Sequence, residues 1–165
     1  MSIPAPAATW CGYPFQYVAD LEPEVDPTGT VVEMMPHARY AKASSSRLNP
    51  YGDGPFCHFR ISWKLPLAGI YLIANGDGVP MYVGECVNLS ARFNGGYGNI
   101  SPRNCYVGGQ STNCRINSLV LATVRQAQRP VLWFMHTTTT TTERKRLQDQ
   151  MIATLRPVWN RQLVR

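Results

Sequence analysis

A chain of 165 residues with 44% hydrophobic content is long enough for one domain with a real core, and ordinary in composition for a soluble globular protein. Its apolar runs, such as VLWFM at 131–135, are too short to span a bilayer, and no basic segment followed by an apolar run opens the chain, so neither a signal peptide nor a membrane partner is expected. Five cysteines (Cys11, Cys57, Cys86, Cys105, Cys114), odd in number and without a CxxC pair, argue against a disulfide scaffold and for a reducing, cytoplasmic setting. The net charge of +6 is uneven: residues 1–60 carry four basic and six acidic side chains (net −2), residues 61–165 twelve and four (net +8). An excess of that size suits a polyanion, nucleic acid first; the plainer alternative is a solubilising surface.

In chain order, residues 1–65 read as an N-terminal extension, mostly irregular and rich in Pro, Gly, Ser and Ala. VVEMM (31–35) and FCHFRISW (56–63) are its two candidate strands, and its scattered apolar residues imply that it drapes over the rest rather than folding alone. From residue 66 the signals sharpen. AGIYLIAN (68–75) and VPMYVGE (79–85), joined through Asn-Gly-Asp-Gly, predict a β-hairpin. CVNLSARFN predicts a short helix with Val87, Leu89 and Phe93 on one face, ended by Gly95-Gly96. The segment 95–113 reads as a long irregular insertion. In residues 114–128, Ile116, Leu119, Val120 and Val124 fall at the spacing of an amphipathic helix, and Pro130 stops it. PVLWFMHT (130–137) predicts a buried strand, in which Trp133 is core and His136 structural. Thr140 and Glu143 form a capping box for a last helix running to Leu155, with Leu147, Met151, Ile152 and Leu155 inward and Pro157 beyond its end. The order β-β-α-α-β-α predicts an α+β fold: a small central three-stranded antiparallel sheet flanked by helices, carrying the irregular N-terminal extension.

Gly69-Ile70-Tyr71 and Tyr82-Val83-Gly84 on the paired strands, Arg92 eight residues after Gly84 on the next helix, and the closing Pro157-Val158-Trp159-Asn160 resemble the GIY-YIG nuclease family over about residues 67–162. Each motif is weak alone; in this order and at these spacings they are specific. The resemblance implies a DNA endonuclease, restriction-like in its compactness, that hydrolyses phosphodiester bonds of double-stranded DNA with one Mg²⁺ or Mn²⁺. Cutting both strands from one site per chain further implies a homodimer or sequential nicking. The departure from the family is at its metal-binding glutamate, which lies twelve residues before the asparagine; that position here is Gln148. Glu143 and Asp149 point off that face of the helix, by about 140° and about 100°. Glutamine is nearly isosteric with glutamate but neutral, and a poor ligand for a hard cation, so this form is expected to be inactive or weakly active. A non-catalytic DNA-binding module on the same fold and a structure-specific repair nuclease are the alternatives.

The resemblance assigns roles. Tyr71 would activate water, its phenol helped toward ionisation by a nearby cation. Arg92 would clamp the phosphate oxygens, Tyr82 would orient water or phosphate, and Asn160 would brace the site. Tyr97 stands where family members carry a further polar residue, and Gln148 marks the metal position. Within 95–115, Arg103, Asn104, Gln110, Asn113 and Arg115 are of the types that read bases and phosphates, with Tyr97 and Tyr106 available for stacking.

Overall fold

The computed structural model of the protein describes residues 6–161. Its centre is a five-stranded sheet of β1 (Ala7–Trp10), β2 (Tyr13–Asp20), β3 (Gly69–Ala74), β4 (Pro80–Cys86) and β5 (Val131–His136), in the order β1-β2-β5-β3-β4. Every ladder in it is antiparallel. Helices α1 (Leu89–Arg92), α2 (Ser111–Arg125) and α3 (Thr141–Leu155) cover it. The α+β architecture is as expected, and β5, β3 and β4 are the three expected strands. The sheet is nonetheless two strands wider than the sequence suggested, because residues 7–20 form a hairpin that joins it at β5.

The period-2 alternation of β3 splits its side chains between two cores. Tyr71 and Ile73 pack with Leu89, Phe93, Ile116 and Val120 of the α1–α2 layer. Ile70, Leu72 and Ala74 pack with Phe15 of β2 and Met151 of α3. All six residues of β3 are buried, as expected of a strand covered on both faces. The β3–β4 turn is built as its Asn-Gly-Asp-Gly sequence requires. The Asn75 side chain accepts from the amides of Asp77 and Val79, and Gly78 takes the positive φ of 81°.

Neither VVEMM nor FCHFRISW becomes a strand; the two meet through one isolated bridge, Met34 with Phe56, and Val31 makes another with Val25. The physical reason lies in where their backbone bonds go. Asn117 of α2 brackets Cys57, accepting from its N–H at 2.9 Å and donating to its carbonyl at 2.7 Å. Asn94 does the same to Ile61, and Ser90 accepts from the Leu65 amide and donates to the Ser62 carbonyl. The ribbon from 56 to 65 is thus held by side chains of the helices it crosses, not by a sheet.

Two further expectations are corrected. Gly95-Gly96 does not end the first helix; α1, capped by the Asn88 side chain on the Ala91 amide, runs on as a wider π turn from Phe93 to Tyr97. Val87 is exposed rather than facing inward. The segment 95–113 is also less irregular than it reads: it ends the π turn, holds a 3₁₀ turn at Pro102–Cys105, and begins α2 at Ser111. In α3 the capping box forms as predicted, with the Glu143 amide donating to Thr140 Oγ1 and the Thr140 amide to Glu143 Oε2. Leu147, Met151, Ile152 and Leu155 pack inward.

Candidate active site

The site is assembled at β4, an edge strand that helices from both sheet faces can reach. Register places Tyr71 directly opposite Gly84. The phenol lies over that glycine: a Cβ there would stand 2.2 Å from Tyr71 Cζ and from its hydroxyl oxygen. The first glycine of the hairpin has an equivalent reason. A Cβ on Gly69 would meet the Met135 carbonyl at 2.1 Å and the Phe134 ring at 2.7 Å. The two glycines of the GIY and YVG triplets are therefore packing requirements of this sheet.

From under β3 the Tyr71 hydroxyl meets that of Tyr97 at 2.6 Å. The π turn carries the chain round so that Tyr97, five residues after Arg92, faces back into the sheet. Phe93 packs edge-on to both phenols, and the Arg92 guanidinium carbon stands 6.0 Å over the Tyr97 ring. Tyr82 completes an aromatic cluster, its ring 6.1 Å from Tyr71 and 6.3 Å from Tyr97. Burial, then the neighbouring phenols of Tyr97 and Tyr82, push Tyr71 well above the ordinary tyrosine range, and Arg92 only partly opposes them. Burial, then Tyr82, likewise push Tyr97 up. Both phenols are neutral at physiological pH: they can donate and accept hydrogen bonds but are not standing bases. The help expected from a nearby cation is present and outweighed.

These side chains open onto one cleft of about 530 Å³, lined by Tyr71, Tyr82, Gly84, Glu85, Arg92 and Tyr97 from one part of the chain, residues 109–113 from a second, and Lys145, Gln148 and Asp149 from a third. Five of the six residues assigned to catalysis, Tyr71, Tyr82, Arg92, Tyr97 and Gln148, thus meet. Asn160 does not line the cleft. It braces the wall: its Oδ1 accepts from the Val83 amide and its Nδ2 donates to the Val83 carbonyl, both at 2.9 Å. One residue earlier, the Trp159 amide donates to the Met81 carbonyl, so the closing Pro-Val-Trp-Asn tail grips β4 on either side of Tyr82.

The residues assigned to DNA contact divide. Gln110 and Asn113 line the cleft, with Asn113 Nδ2 donating to Gln110 Oε1 at 3.1 Å. Asn104 is spent locally, accepting from the Gln110 amide. Arg103 is exposed outside the cleft. Arg115 is half-buried and donates to the Trp159 carbonyl at 2.6 Å, which makes it an anchor for the tail. Tyr106 is buried, stacked on Tyr40 and donating to the His37 carbonyl, so it is unavailable for base stacking. Sequence reasoning missed Glu85 and Lys145, and it placed Asp149 off the site that it in fact lines; the cleft is wide enough to take side chains from neighbouring helix positions. Glu143 is used in the helix cap.

A hard divalent cation needs several oxygen ligands, some of them anionic. The cleft offers the neutral amide of Gln148, Asp149, and Glu85, whose Oε2 is held by Arg144 Nε at 3.2 Å. Among the described residues no three His, Cys, Asp or Glu side chains stand together as a metal-holding group. With a neutral amide at position 148, the cleft lacks the anionic ligand that the resemblance would place there for Mg²⁺ or Mn²⁺. Among the described residues no helix is long and apolar enough to cross a membrane. Comparison with protein-family models, with curated proteins and with solved structures gives no match.

Proposed function

We propose that the protein engages double-stranded DNA at this cleft as a GIY-YIG-type endonuclease in which the amide at position 148 leaves binding ahead of cutting. The observation that carries the proposal is convergence: three tyrosines, an arginine and Gln148, from stretches up to 77 residues apart in the chain, line one open cleft. A net charge of +8 on residues 61–165 supplies the long-range attraction for a polyanion.

In this proposal Arg92 binds two oxygens of the scissile phosphate with its planar fork. Tyr82, which lines the cleft and is 8% exposed, orients the attacking water or the phosphate. Tyr71 and Tyr97, neutral and joined hydroxyl to hydroxyl, act as a fixed hydrogen-bond pair beneath the phosphate instead of as an ionised base. A carboxylate introduced at position 148 would be the residue to hold a divalent ion, whose chemistry there would be Lewis-acid polarisation of the phosphate. One cleft per chain makes double-strand cleavage a matter of two chains acting together or of two successive nicks.

The test is Gln148→Glu with Mg²⁺ in a supercoiled-plasmid nicking assay. The expected result is a rise in nicking of at least about 100-fold over the natural chain, the scale of several kcal/mol of charge stabilisation. One observation favours a second proposal, a non-catalytic DNA-binding module: the group at the metal position is a neutral amide, and burial pushes the phenols of Tyr71 and Tyr97 away from ionisation. Duplex binding with a flat nicking assay in Gln148→Glu selects it. Comparing plain with branched duplexes separates a restriction-like enzyme from a repair nuclease.

A further inference from the structure

The cleft carries a charge arrangement that the roles above leave unused. Two cations line it, Arg92 from α1 and Lys145 from α3. These helices pack on opposite faces of the sheet, α1 over the Tyr71 side and α3 over the Ile70–Leu72 side, so the two charges reach the β4 edge from different directions. Lys145 lies three residues before Gln148, one helical turn away and on the same face.

Among the described residues neither cation forms a salt bridge. Among those residues His58 lies 3.4 Å from Glu24, and the Arg–carboxylate pairs are Arg125–Glu33, Arg129–Asp20 and Arg144–Glu85. The last matters most. Glu85 is a cleft residue whose carboxylate is paired with Arg144, 5% exposed, and it acts on Arg92 through space without a salt bridge to it. Arg144 is itself fixed by donating to the Thr139 carbonyl and to Thr141 Oγ1. Asp149 is left as the one unpaired carboxylate against two unpaired cations. Around them stand neutral donors: the phenols of Tyr71, Tyr82 and Tyr97 and the amides of Gln148 and Gln110.

We infer that Lys145 and Arg92 form a two-cation clamp that holds a single phosphodiester without a metal ion. The guanidinium is a flat fork suited to two phosphate oxygens, and the ammonium is a compact charge on a flexible stem that closes from the other wall. Position 148 then needs only a neutral hydrogen-bonding group, which glutamine is, whereas the family pattern needs an anion there to hold a cation. The inference rests on the DNA reading of the cleft for its ligand class and adds Lys145, which that reading does not employ. Asp149, one turn beyond Lys145, opposes an incoming phosphate and weakens the clamp.

The experiment measures binding of a labelled duplex by the full chain in EDTA over a salt series, alongside ¹H–¹⁵N spectra titrated with sodium phosphate. Lys145→Gln should weaken duplex binding about tenfold and lower the salt slope by about one, with Lys145→Arg close to the natural chain. Lys64→Gln, an exposed lysine outside the cleft, should change little. Asp149→Asn should tighten binding in EDTA. Phosphate should shift the amides of Gly84 and Glu85 in the natural chain and not in Lys145→Gln. Equal affinities for Lys145→Gln and Lys64→Gln, with unchanged phosphate shifts, overturn the clamp and leave the DNA proposal standing. No duplex binding by the natural chain, together with Lys145-dependent phosphate shifts, overturns the DNA proposal and leaves the clamp. Asp149→Asn weakening the complex, with binding that requires added Mg²⁺, overturns the clamp in favour of a metal site.

Discussion

At the scale of the residue, the tightest constraint is the contact between Tyr71 and Gly84. With the phenol lying where a Cβ would project, Gly84→Ala must push Tyr71 out of its bond with Tyr97. The expected outcome is destabilisation of about 1–3 kcal/mol from overpacking, together with loss of any nicking gained by Gln148→Glu; a thermal melt and the plasmid assay read the two effects. The same buried phenols set a pH dependence. Tyr71 and Tyr97 have folded pKa values raised above the unfolded value near 10. The unfolded chain therefore ionises first, and their contribution to stability is present below about pH 10 and lost as pH climbs beyond it. Tyr71→Phe should shift alkaline unfolding toward higher pH, read by circular dichroism against pH. Much of this was legible: the spacing of the two triplets and of Arg92 located four cleft residues. Lys145 and Glu85 were not, because a lysine on an exposed helix face and a glutamate at a strand end have no pattern of their own until the fold brings β4 and α3 together.

At the scale of the element, β4 is an edge strand finished by the tail. The Asn160 side chain pairs with Val83 as a neighbouring strand's peptide group would, and Trp159 adds a main-chain bond at Met81. Tyr82 sits between those two anchor points. Asn160→Ala removes both bonds to Val83, and the expected cost is about 1–3 kcal/mol, with faster amide exchange at Val83 as the local readout. The other device that fixes an element is the Arg144–Glu85 pair, which ties α3 to β4 from nearly buried positions. Arg144→Met leaves Glu85 charged and unpaired, and should cost about 3–5 kcal/mol, most of which a second change, Glu85→Met, should restore; denaturant titration of the single and double variants checks this. The helix cap, the inward face of α3 and the β3–β4 turn were readable because each depends on residues close in sequence. The π turn was not, since a Gly-Gly pair that commonly closes a helix here widens it.

At the scale of the whole molecule, the N-terminal hairpin is part of the fold that carries the site, although no cleft residue lies within it. Its sequence signal was faint. Cys11 and Gly12 adopt positive φ values of 53° and 78°, a two-residue turn of the kind usually marked by Asn-Gly. Pro14 next to it argues against a strand. The proline is tolerated because β5 pairs with β2 only from Gln16 onward. What the hairpin supplies is large: Phe15 is fully buried beneath α3, and Trp10 packs edge-on against Phe15 and Trp133 while its indole donates to the Gly78 carbonyl of the β3–β4 turn. Removing residues 1–20 therefore takes an aromatic plug out of the α3 core, worth about 3–5 kcal/mol for one large aromatic alone. It also bares the β5 strand Val-Leu-Trp-Phe-Met-His as an unpaired apolar edge. A chain beginning at Leu21 keeps every residue of the cleft and is expected to aggregate on expression, whereas the single change Phe15→Leu should stay soluble with a lowered melting temperature and an intact cleft. Soluble yield and light scattering distinguish these outcomes. A truncated chain that stayed monomeric and bound duplex as the whole chain does would show that the sheet needed for the site ends at β5.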